Sequence, residues 1–118
     1  MHRTNRQNAT DFSNGIFDAV FPFLHSNVVW NLFDQGCITG KDNVIDECKR
    51  IVAYFETVDT DFQTTYIIQE NNKIAINGVG KFSRNGNLLS EINSCDIYEF
   101  DENNLIVSIS SYCITTKK

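Results

Sequence analysis

Apolar residues between positions 41 and 56 recur with the period of a helix. Val44, Ile45, Cys48, Ile51, Val52 and Phe55 share one face, and Asp46, Glu47, Lys49 and Arg50 share the other. Thr39-Gly40 and the early Asp42 suit the start of that helix. Upstream, "GIFDAVFPFL" (residues 15–24) is strongly apolar and predicts a short helix that Pro22 ends or kinks. "NVVWNLF" and "CIT" then read as two short strands around a "DQG" turn. From residue 61 the period changes to two. "DFQTTYIIQ", "KIAINGVGKFS", "LLSEINSCDIYEF" and "LIVSISSYCIT" are four strands joined by "ENN", "RNGN" and "DENN". Connections that short imply an antiparallel meander, because parallel strands need long crossovers. The order of elements predicts an α+β fold, with helices on one face of a curved sheet. The N-terminal "MHRTNRQNATDF" offers only Ala9 and Phe12 as apolar contacts, so a helix there is expected to be short, loosely packed or absent. One proline, no linker and no repeat make residues 1–118 a single domain.

Strand parity selects candidate site residues. Phe62, Thr64, Tyr66 and Ile68 share a side, as do Ile74, Ile76, Gly78, Gly80 and Phe82 on the next strand. On the third strand Ile92, Ser94, Asp96, Tyr98 and Phe100 point inward together. A carboxylate on that side is either a satisfied structural acceptor or a group placed for chemistry, and the two readings weigh about equally. Gly78 and Gly80 suggest room left above the sheet, beside Phe82 and Ser94. Tyr66 and Tyr98 could offer hydroxyls to a ligand, although core packing is the commoner role. The fourth strand is ambiguous, since either Val107, Ile109, Ser111 and Cys113 or Ile106, Ser108, Ser110, Tyr112 and Ile114 could be buried. A sheet whose back meets a partner has such a strand. Trp30 reads as a packing residue and His25 as a helix C-terminal cap.

Composition removes several classes. Nine Phe, four Tyr and one Trp favour strands and a lined cavity. A net charge of −5 and no basic run argue against nucleic acid. No apolar run approaches the ~18 residues that span a bilayer, and no signal peptide is visible, so a cytoplasmic protein is expected. Cysteines 37, 48, 95 and 113 form no Cys-x-x-Cys pair, and neither histidine joins a ligand cluster. Reduced thiols, no metal and no cofactor are therefore expected. Cys113 has no nearby histidine to activate it as a nucleophile.

"FSNGIFDAVFPFLHSNVVW", "CITGKDNVIDECKRI" and "CDIYEFDENNLIVSISSY", in that order and spacing, resemble the nuclear transport factor 2-like superfamily. That superfamily includes SnoaL-like polyketide cyclases and ketosteroid isomerases. The resemblance covers nearly the whole chain from Phe12. It implies a cone, in which a strongly bent antiparallel sheet wraps around the long helix and leaves an apolar pocket at the wide end. It also implies pairing as a homodimer through the back of the sheet. Asp96 falls at the position of the isomerases' oxyanion aspartic acid. Their general-base position falls on Asn31, which cannot accept a proton at neutral pH, and their tyrosine has no counterpart near residues 6–8. Cys113, with Ile109 in the same register, faces the pocket.

Fold alone does not choose a reaction. Three classes follow. One is a cofactor-independent isomerase or cyclase acting on a small carbonyl compound, with Asp96 in proton transfer. The second is a non-catalytic binder of a small, largely apolar molecule, with Asp96 as anchor and Asn31, Tyr66, Phe82, Ser94, Tyr98, Ile109 and Cys113 around it. The third is a protein-interaction module. A small-molecule pocket protein fits best, with no nucleic-acid or membrane partner.

Overall fold

The computed structural model of the chain describes residues 3–33 and 35–117. The N-terminal helix α1 (Asn5–Ser13) is formed and docked, contrary to the expectation of a loose or absent one. A capping box explains this. Thr4 Oγ1 accepts from the Gln7 amide at 3.0 Å, and Gln7 Oε1 accepts from the Thr4 amide at 2.8 Å. Arg3 pairs with Asp11 along the helix, and Ala9 and Phe12 are both buried. Two apolar contacts suffice because both are fully used.

The helix expected over residues 15–24 does not form. The segment runs through turns into one 3₁₀ turn, Phe21–Phe23. Successive i→i−3 bonds, such as Val20 N to Phe17 O at 2.9 Å, bury Phe17, Val20 and Leu24 at nearly helical spacing. The chain then enters β1 (Leu24–Leu32), so His25 lies on a strand, where its Nδ1 accepts from the Asn27 amide at 2.9 Å.

β2 (Gly36–Thr39) leads into α2 (Lys41–Phe55), whose Val44 and Cys48 are fully buried. The meander follows as β3 (Asp59–Glu70), β4 (Lys73–Arg84), β5 (Asn87–Phe100) and β6 (Ile106–Lys117), antiparallel throughout as expected. β1 joins its free edge in parallel beside β6, giving an open six-stranded sheet of order β2-β1-β6-β5-β4-β3. The two helices pack against this sheet in an α+β fold.

Irregular register decides which side chains face the core. A shift between Thr64 and Tyr66 in β3 reverses the alternation, so Phe62 and Ile67 are half-buried while Tyr66 and Ile68 are each 67% exposed. A second shift, opposite Glu99 and Phe100, does the same in β6. Ile106, Ile109 and Ser111 are therefore all buried, and Ile106 belongs to the core rather than to the back of the sheet. Gly78 and Gly80 do not simply leave space. A Cβ on Gly80 would stand 3.1 Å from the Phe62 ring, and one on Gly78 only 2.7 Å from the Gln63 carbonyl oxygen. The strand β3 occupies that room.

Candidate functional site

A cavity of about 420 Å³ opens between the end of α1, one flank of α2 and the inner face of the sheet. Phe12, Phe17, Trp30, Phe55, Phe62 and Phe82 are among its lining residues. Glu47, Arg50, Ile51 and Tyr54 reach it from successive turns of α2.

Asp96 is the buried carboxylate among the lining residues, 9% exposed. Ser13 Oγ donates to Asp96 Oδ2 at 2.8 Å and lies 2.6 Å from the Tyr98 hydroxyl. Ser111 bonds Asp96 from the neighbouring strand, where the two residues are register partners. Trp30 Nε1 donates to Ser111 Oγ at 2.9 Å. An indole N–H can only donate, so the Ser111 proton is left for the carboxylate. Ser13 gives its single proton to Asp96, so the Tyr98 hydroxyl donates to Ser13. Both arms, Trp30–Ser111 and Tyr98–Ser13, thus deliver protons toward Asp96. Asp96 lines the cavity, and two hydroxyl donors leave part of its accepting capacity unused.

Burial raises the Asp96 carboxyl above its ordinary value, while the Ser111 and Ser13 hydrogen bonds pull it back. Desolvation therefore outweighs the hydroxyl donors. The same burial, with the Asp96 charge nearby, holds the Tyr98 phenol well above its ordinary value, so it stays a neutral donor.

Of the expected site residues, Asp96, Phe82, Ser94 and Cys113 line the cavity. Tyr98 does so only indirectly, because its ring is fully buried in the core and its hydroxyl meets Ser13. Ile109 is a core residue without exposure and does not reach the cavity. Tyr66 is on the outer face, for the register shift already described. Asn31 is also misplaced. Leu24, Val28 and Trp30 are buried on one parity of β1, so Asn31 points away from the cavity between lining residues Trp30 and Leu32. Sequence reading missed Ser13 and Ser111 and gave Trp30 a packing role alone. Ser111 could have been found from its shared parity with Cys113. Ser13 carries no local signal, because its partner is 83 residues away.

Among the described residues, no three His, Cys, Asp or Glu side chains gather as a metal site, and no helix is long and apolar enough to cross a membrane. The thiols differ sharply. Burial, and then the Glu47 charge, push Cys48 up to about 12, whereas Cys37 is exposed. Cys48 is buried and stays a thiol at pH 8, so native-state alkylation should label Cys37 and spare Cys48 until the protein unfolds. Peptide mass mapping of iodoacetamide-treated protein checks this. Labelling of both at one rate would mean that the core around α2 opens readily.

A solved nuclear transport factor 2-like (NTF2-like) protein of unknown function from Cytophaga hutchinsonii superposes with a TM-score of 0.83 at 31% identity, over 92% of this chain and 95% of that one. The chain belongs to the NTF2-like family. A SnoaL-like polyketide cyclase structure from Shewanella putrefaciens shares the fold at 14% identity and a TM-score of 0.70, covering 92% and 79% of the two chains. An LEH-like epoxide hydrolase from M. tuberculosis does so at 15% identity and 0.67, covering 89% and 75%. No family model and no curated protein matches the sequence. The expected resemblance is therefore upheld at the level of the family.

Proposed function

We propose that this NTF2-like protein binds a small, largely apolar molecule in the cavity, with Asp96 as the polar anchor of the ligand. The observation that carries the reading is the buried carboxylate itself. Two hydroxyl donors hold it, no described ion pair includes it, and it lines a cavity together with several aromatic side chains. Binding is favoured over isomerase- or cyclase-type catalysis because the other charged lining residues, Glu47 and Arg50, are engaged with each other. A single carboxylate with a raised proton affinity can still take one proton from a bound carbon acid, and that is the second reading.

We also propose that two copies pair through the back of the sheet. Tyr66, Asn77, Cys95 and Tyr112 form one cross-strand row there, and Ile68, Ala75, Ile97 and Ser110 form the next. Tyr112 stacks on Phe33 at 4.6 Å, and both remain largely exposed. Apolar groups at that density usually mark an interaction surface.

Native mass spectrometry of freshly purified protein tests both statements. The expected spectrum is a dimer carrying a small-molecule adduct, which Ser94→Phe should remove by filling the cavity. A bare monomer would overturn the pairing, and an adduct that survives Ser94→Phe would remove the cavity as its seat.

A further inference from the structure

The charges lining the cavity do not balance. Asp96 and Glu47 are carboxylates, and Arg50 is the one cation among the described lining residues. Arg50 does not serve Asp96. Its Nε donates to Glu47 Oε1 at 3.1 Å and its Nη2 pairs with Glu47 Oε2, one turn away on α2. Its side chain is 69% exposed, which puts it at the rim. The other described ion pair, Arg3–Asp11, does not line the cavity. Asp96 is left with hydroxyl donors only, Ser13 and Ser111. A carboxylate has about four lone-pair sites, so roughly half its accepting capacity remains for whatever enters.

The walls are suited to one kind of complement. Phe12 makes edge contacts with Phe17 at 4.8 Å and with Trp30 at 5.1 Å, beside the Ser13 and Ser111 that hold Asp96. Aromatic faces and a buried carboxylate both attract positive charge. An anion would meet Asp96 directly, with no free cation among the described lining residues to offset it. A neutral ligand would leave Asp96 either charged without a partner or protonated, whereas a cation compensates the buried charge directly. The whole chain, at −5, favours the approach of cations.

We infer that the ligand is an organic cation, a protonated amine on an apolar, ring-sized body, with its N–H groups on Asp96 and its body against Phe12, Phe17 and Trp30. This deepens the small-molecule reading above and rests on it.

Trp30 is the only tryptophan in the sequence and lines the cavity, so its fluorescence reports occupancy. The test titrates the protein at neutral pH with three probes of nearly one shape: 2-phenylethylamine, 2-phenylethanol and phenylacetate. The amine is expected to bind about tenfold or more tightly than the alcohol, and phenylacetate more weakly than either. In Asp96→Asn the amine's advantage over the alcohol should vanish, and continued binding of the alcohol, at whatever affinity, shows the cavity intact. Alcohol binding as tight as amine binding, or an amine advantage that survives Asp96→Asn, overturns the inference and leaves the small-molecule reading standing. Failure of all three probes to perturb Trp30, in a protein that also carries no adduct by mass spectrometry, overturns both.

Discussion

Raising the pH from 4 to 7 is expected to destabilise the wild-type protein relative to its Asp96→Asn variant. Burial lifts the folded carboxyl above the unfolded value of 3.8, against the pull of Ser111 and Ser13. Below that value the group is protonated in both states and costs nothing. As pH rises from 3.8 toward the folded value, the unfolded chain gains by ionising and the native chain does not, so stability is lost across that window. The loss grows by about 1.4 kcal/mol for every pH unit the window spans, and stays constant above it. The variant's carboxamide has no such titration. It carries its own offset of about 1 kcal/mol, because its NH₂ group meets a serine hydroxyl already committed as a donor. That offset is the same at both pH values, and every other titrating group is common to the two proteins. Urea unfolding of both at pH 4 and pH 7 isolates the difference. A gap that does not move, or that moves in favour of the wild type, would make Asp96 a charged structural partner rather than a carboxylate held ready for a ligand.

Gly78→Ala should cost about 1–3 kcal/mol, and clearly more than Gly80→Ala, although the two glycines sit two residues apart on one strand. The difference lies in what each new methyl meets. At Gly78 it is the Gln63 carbonyl oxygen at 2.7 Å, part of the backbone where β3 shifts register. That atom moves only if the β3–β4 pairing moves with it. At Gly80 the obstacle is the Phe62 ring at 3.1 Å, which borders the cavity and can turn into it. Gly80→Ala should instead shrink the cavity and weaken probe binding. Urea midpoints of the two variants measure the first effect and Trp30 titrations the second. Equal costs would mean that the irregular β3 backbone yields as easily as a side chain.

Both predictions depend on features of different legibility. Helix α2 could be read because its apolar stripe repeats over four turns, and the meander because each strand alternates between turn residues. The turns themselves are legible: Asn71, Asn85 and Asn104 all adopt positive φ, which asparagine tolerates better than most residues. Asp96 could be placed inward for a specific reason. The β5–β6 pairing runs without a break from Ile92 to Glu99, so simple alternation holds across it. The segment over residues 15–24 misled because i→i−3 turns and a helix bury residues at almost the same spacing.

Periodicity over continuous stretches sets the class of fold, the four-stranded meander, the long helix and an inward carboxylate. Tertiary structure decided the faces of Tyr66 and Ile106, because one irregular pairing step exchanges inside for outside and leaves no mark on local hydrophobicity. It also decided what holds Asp96. Ser13 lies on a helix and Ser111 on a neighbouring strand, oriented by Tyr98 and Trp30, and only the folded chain brings these donors to one acid.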